Sequence, residues 1–237
     1  MKKEKRFSIS LKLRLYISIV TLTVLFGSMF IAYNVVVRQI DNNFKKLAQG
    51  IASNYAAFID TSFYSKLKEI ISTEEYRELR DTAEEEDNEL LIEGYLKEQG
   101  VWEDYISAKD LLSKYLENTE AARYLYVMIL NNNEDYDIYL MDTYEEPLYS
   151  TGMSEAKEKE FEGIDTTQYF EPVINEGPWG WLCSVYQIVY DADGNYLCHV
   201  GCDIEMSDIV VERNKLLFYI FVGSTLFTIL VVFSAIY

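Results

Sequence analysis

The chain has 237 residues, a formal charge of −18, one histidine and three cysteines. So acidic a balance excludes nucleic-acid binding through a basic footprint, and three cysteines are too few for a disulfide scaffold. The charge is unevenly placed: residues 1–14 hold six basic side chains against Glu4 alone, whereas Arg38 to Lys215 holds 15 basic and 38 acidic residues.

The basic leader, residues 1–14, runs into "LYISIVTLTVLFGSMFIAYNVVV", Leu15 to Val37, which carries no charge. As a helix, a run of this length spans roughly 30 Å, one bilayer core. It is too long for the apolar region of a usual signal peptide and no A-x-A site follows it, so it reads as an uncleaved anchor. A second uncharged run, Leu216 to Tyr237, has nearly the same length and the same character. Basic flanks stay in the cytoplasm. The expected topology is therefore a multi-pass cell-membrane protein in contact with the lipid bilayer: residues 1–14 cytoplasmic, 15–37 transmembrane, 38–215 extracellular and 216–237 transmembrane. Because Tyr237 still lies inside the apolar run, the chain is expected to continue beyond it.

Past the anchor, Ile40, Phe44, Leu47, Ile51, Tyr55, Phe63, Leu67 and Ile71 keep helical spacing, which predicts one long helix that Gly50 does not break. "STEEYRELRD" has Ser72 and, three residues on, Glu75, the pattern of a capping box. "NELLIEGYLKEQG" and "YISAKDLLSKYLENTEA" predict two further helices. The period then changes. "RYLYVMIL" (Arg123 to Leu130) and "IYLMD" (Ile138 to Asp142) read as strands separated by the turn cluster "NNNEDYD". "EEPLYSTG" reads as a short third strand, and "SEAKEKEFEG" and "TTQYFEPVINEG" as helical or irregular. "WGWLCSVYQIVYD" and "NYLCHVGCDIEM" close the domain as a hairpin, and Ser207 starts an exit helix. "DADGN" suits a three-residue hairpin loop with Gly194 in the left-handed position. Such a loop puts Cys183 and Cys202 on opposite faces, which predicts three free, largely buried thiols.

The last hairpin, "YQIVYDADGNYLCHVGCDIEMS" (Tyr186 to Ser207), placed between a long helix and a second span, resembles the extracellular Cache sensor domains, PAS-like modules of bacterial chemoreceptors, sensor kinases and nucleotide cyclases. The resemblance covers roughly Arg38 to Asp208, with Thr73 to Leu116 matching least, and suits the single-module form. It implies an α+β fold, a long N-terminal helix packed on one antiparallel PAS-like sheet of about five strands, flanked by two transmembrane helices. It further implies an extracellular small-molecule sensor in a homodimeric receptor whose output domain lies past residue 237. Double-module members hold an amino acid through an Arg-x-Trp-Tyr segment and an acid in the last strand. By order that acid is Asp203 here, but Thr167, Tyr169 and Phe170 stand where the Arg, Trp and Tyr would. A threonine cannot form the two parallel charge-assisted bonds of a carboxylate clamp. An acid beside aromatic rings suits an amine or other cation instead.

Asp203 is therefore the first candidate ligand residue, with helix capping as its alternative role. Tyr126, Tyr139, Trp181 and Tyr186 fall on expected strands and could line a cleft with it, although aromatic residues on strands are mostly core. Arg123 could hold an anionic group or form a surface ion pair. His199 lacks the companions of a zinc site, and "DADGN" lacks the rest of a calcium loop, so no metal and no cofactor are expected. No H-E-x-x-H, phosphate loop, G-x-S-x-G or kinase signature occurs, and the chain is not expected to be an enzyme. A structural or protein-interaction ectodomain of the cell envelope stays open as the alternative to a sensor.

Overall fold

The computed structural model describes residues 9–132, 134–143, 146–157, 163, 165–169 and 171–236. Asn133, Phe170 and half of the "SEAKEKEFEG" stretch lie outside the described residues. The chain divides into two units, one made of residues 1–42 with 207–237 and the other of Asn43–Met206.

In the first unit lie the body of helix α1 (Ile9–Ala56) and helix α6 (Ser207–Ile236). Both are long and apolar enough to cross a membrane. Large apolar side chains face outward on each, among them Phe30 and Leu230. Serine and threonine hydroxyls in the apolar runs turn back on their own helix: Thr21 donates to the Ile17 carbonyl and Thr225 to that of Phe221. Hydrocarbon offers no other partner, so internal bonding of this kind is what a lipid-exposed helix needs.

The second unit is α+β. The end of α1 is followed by α2 (Thr61–Ile71), α3 (Glu74–Glu85), α4 (Glu89–Glu98) and α5 (Trp102–Glu117). Six strands then form one antiparallel sheet in the order β3-β2-β1-β6-β5-β4: β1 (Tyr124–Ile129), β2 (Tyr136–Met141), β3 (Ser154–Ala156), β4 (Val173–Gly177), β5 (Gly180–Tyr190) and β6 (Tyr196–Glu205).

Several boundaries differ from the sequence-based expectation. The first helix stops at Ala56, because Asp60 takes an extended backbone and its carboxylate accepts from the Ser62 and Phe63 amides, starting α2 afresh. Thr73, not Ser72, caps α3 by accepting from the Tyr76 amide, while Ser72 ends α2 and donates to the Lys68 carbonyl. The third strand is Ser154–Ala156; "EEPLYSTG" supplies only a 3-10 turn at Leu148–Ser150. A sixth strand, β4, runs through "VINEG". The hairpin loop is as expected, with Gly194 at φ 83° and Asp191 bonded through backbone to Asn195. A bulge between Val189 and Tyr190 then shifts the register by one. Cys183 pairs with Ile204 and Cys202 with Val185, so the two thiols share a face instead of lying on opposite ones. None of the three cysteines is nevertheless in a disulfide, and all are buried.

Opposed residues on paired strands share a face, which sorts the sheet into rows. One face carries Leu125, Cys202 and Val185 in one row and Val127, Val200 and Gln187 in the next. The helices cover this face: Gln187 Oε1 accepts from Gln49 and Ser53 of α1, and Tyr64 of α2 donates to Met141 Sδ. The other face carries Tyr124, Asp203 and Ser184, then Tyr126, Gly201 and Tyr186, then Met128, His199 and Ile188. Gly201 is needed there, since a Cβ on it would lie 2.1 Å from the Tyr126 ring. His199 is fully buried, with Nδ1 2.9 Å from the Tyr196 hydroxyl.

Two outcomes follow from this packing. Gly201→Ala forces the buried Tyr126 ring aside, an overpacking cost of about 2–3 kcal/mol, or roughly 4–12 °C in Tm for a domain of this size. In calorimetry Gly201→Ala combined with Tyr126→Ala should lose less than the two single changes added together. Burial also pushes the His199 pKa down to about 3. The unfolded chain then takes up a proton near pH 6.5 that the folded chain refuses until about pH 3, so stability falls as pH drops through that window. From pH 7 to pH 5 this group alone removes about 2 kcal/mol. Urea midpoints at the two pH values should show a smaller drop in His199→Asn.

Candidate functional site

The aromatic face of the sheet carries a cleft of about 90 Å3 lined by Tyr124, Tyr126, Tyr139, Asp142, Glu146, Ser150, Met153, Trp179 and Asp203. Its floor is strand: Tyr124 and Tyr126 from β1, Tyr139 from β2 and Asp203 from β6. Period-two alternation aims all four to one side. Asp203 is only 6% exposed, set between Tyr124 and Ser184 in the ladder. It lies inside β6, not at the start of α6, so it is not that helix's cap.

Tyr126 is the central ring. It meets Tyr139 edge-on at 5.4 Å between centroids and Tyr186 at 6.3 Å, and its hydroxyl donates to that of Tyr186 at 3.3 Å. Burial foremost, then the nearby Asp203 carboxylate, holds the Tyr126 phenol well above its ordinary pKa. The Tyr139 phenol is raised in the same way, by burial and then by Glu155, to whose carboxylate it donates at 2.7 Å. Both rings are therefore neutral hydrogen-bond donors with intact π faces.

One wall comes from the connection between β2 and β3, which the helical region holds in place. Lys109 of α5, 1% exposed, donates to the Glu146 carbonyl at 2.9 Å. Burial lowers its pKa, opposed by the Asp142, Glu89 and Glu146 carboxylates. Tyr76 donates to the Thr151 carbonyl at 3.0 Å, the Tyr105 hydroxyl lies 2.7 Å from Thr151 Oγ1, and the Glu89 carboxylate accepts from the Leu148 amide. The opposite wall is Trp179, at the tip of the β4–β5 hairpin, whose Nε1 donates to Glu155 at 3.3 Å.

Of the residues singled out from sequence, the structure brings Asp203, Tyr126 and Tyr139 together in the cleft and places Tyr186 against its floor. Trp181 and Arg123 do not join them. The register pairs Trp181 with Glu176 on the face that carries Cys183, because it stands an odd number of residues from Tyr186. Arg123 is exposed and forms an ion pair with Glu205, with Nε donating to the Tyr124 hydroxyl. In the segment compared with the Arg-x-Trp-Tyr pattern, Thr167 bonds Asp165 and Tyr169 is 65% exposed; neither lines the cleft. Sequence reasoning missed Asp142, Glu146, Trp179 and Gly201. For Gly201 a signal existed, since glycine inside a strand marks a close approach.

No family model matches the chain, and no curated protein matches it. Among solved structures, the ligand-binding domain of the Campylobacter jejuni chemoreceptor Tlp3, crystallised with L-valine, matches at 16% identity and a TM-score of 0.27. The match covers 80% of this chain and 64% of that one, less than two thirds of the neighbour's length. A superposition so loose carries no argument about the cleft.

Proposed function

We propose that the chain is the sensing portion of a transmembrane receptor, with residues 38–215 as an extracellular Cache-like module, 15–37 and 216–237 as spans and 1–14 in the cytoplasm. It has no catalytic role of its own. The module binds a small cation in the cleft and passes occupancy to a cytoplasmic output carried by further sequence. The observation that supports this best is the position of Asp203: a nearly buried carboxylate among aromatic rings, on the strand that ends at Glu205, just before α6 opens at Ser207. Aromatic faces and a carboxylate attract a cation. A ligand there shifts the start of α6 only by as much as its affinity differs between two positions of that helix.

Two measurements test this. A single cysteine introduced at Asp193, exposed in the hairpin loop, should react with a membrane-impermeant maleimide in intact cells; reaction only after permeabilisation reverses the topology. Against a panel of small amines, titration calorimetry on the full chain in detergent should give binding that Asp203→Ala weakens by about 10–100-fold, the loss of one charge-assisted contact, with Tm little changed. Saturating amine should alter amide exchange over Ser207 to Lys215; no change there removes the proposed path to the span.

A further inference from the structure

Ser150 lines the cleft and is only 4% exposed. Its backbone is fully engaged: the amide donates to the Pro147 carbonyl at 3.0 Å, and the carbonyl accepts from the Met153 amide at 3.0 Å. Its Oγ, in contrast, has no hydrogen-bond partner among the described residues. Buried polar atoms of folded proteins are nearly always paired, and an unpaired one costs more than a made bond contributes. A hydroxyl at the end of a helical turn commonly bonds a carbonyl three or four residues back. Ser72 and Thr119 do so in this domain; Ser150 does not.

The chain around Ser150 has little freedom to relieve this. Thr151 is fully buried, with its carbonyl accepting from Tyr76 and its Oγ1 beside the Tyr105 hydroxyl. Gly152 follows at φ 80°, and its amide donates at 2.7 Å to the carbonyl of Tyr139 on the cleft floor. The turn is therefore tied both to the helices and to β2, and it holds a buried, unpartnered hydroxyl on a wall shared with the Asp142, Glu146 and Asp203 carboxylates. A matching ligand brings positive charge for the carboxylates and a hydrogen-bond donor for the hydroxyl. A primary ammonium has both, with three N–H donors to divide between Asp203, Ser150 and the remaining acids. A metal ion is the poorer match, because no group of three or more acidic, histidine or cysteine side chains among the described residues is placed to hold one.

We propose that Ser150 is a specificity-determining ligand contact, its Oγ accepting an N–H from an ammonium group, and that the ligand is an amine that keeps at least one N–H. The proposal rests on the cation-sensing reading above and narrows it. The test is titration calorimetry of the full chain in detergent with methylammonium and with tetramethylammonium, which has the same charge and no N–H, on the wild type, Ser150→Ala and Ser150→Cys. Ser150→Ala should weaken methylammonium about tenfold, the loss of one bond to a charged group, and leave any binding of tetramethylammonium unchanged. Its Tm without ligand should hold or rise, since a buried hydroxyl with no partner has been removed. Ser150→Cys keeps the shape but accepts only weakly, so it should lose methylammonium affinity in the same direction. If both variants bind methylammonium as the wild type does, if both ions weaken equally, if Tm falls in both variants, or if the wild type binds tetramethylammonium alone, the Ser150 assignment is wrong while cation sensing stands. If neither ion binds the folded wild type, the cation-sensing reading itself fails.

Discussion

Strand β6 is the member on which the rest of the domain depends. It is paired along most of its length on both sides, with β1 and with β5, and it is buried from Leu197 through Ile204. Its alternation decides both faces at once. Cys198, Val200, Cys202 and Ile204 go to the helices; His199, Gly201 and Asp203 go to the aromatic side. A slip of one residue would exchange the two sets, placing a carboxylate against α1 and α2 and thiols in the cleft. The bulge near the hairpin loop matters for that reason. A three-residue loop alone would give the slipped register, and the extra residue restores the one in which an apolar row meets the helices.

The two faces are then built by different chemistry. Under the helices the contacts are largely apolar, with a few polar ties such as Gln187 to Ser53. On the aromatic side, hydrogen bonds from the helical region fix a wall that has little regular structure of its own. Lys109, Tyr76, Tyr105 and Glu89 all reach the segment from Glu146 to Thr151. Unmade, the two buried ones, from Tyr76 and Tyr105 to Thr151, cost more than they contribute when made. The segment is therefore held by the penalty for letting go. Bonds from the helical region replace sheet pairing as the support for one side of the cleft.

Much of the fold could be read from the chain because its signals were periodic. The apolar runs, the helical spacing through Ile51 and Tyr55, and the β5–β6 hairpin with Gly194 were all visible. What failed depended on single residues. Asp60 ends a helix that apolar periodicity would have carried on, since capping is a local hydrogen-bond event with no period. β3 and β4 are short edge strands of three and five residues, too brief for alternation to show. The cleft was legible only in its floor. Asp203, Tyr126 and Tyr139 are strand residues of definite facing, whereas Asp142, Glu146 and Trp179 come from loops and a hairpin tip, whose meeting point is set by the curl of the sheet. Trp181 stands on the other face because facing follows the count from Tyr186, not the aromatic character of the side chain.

The closure over the cleft has a calculable weakness. Trp179 is held to Glu155 by one hydrogen bond of 3.3 Å at an exposed position, and such a bond contributes about 0.5–1.5 kcal/mol. The bond orients the indole without locking it, whereas the floor is held differently: Tyr126 and Asp203 stand on strands paired along β6 from both sides, so their positions follow from the ladder and not from any single contact.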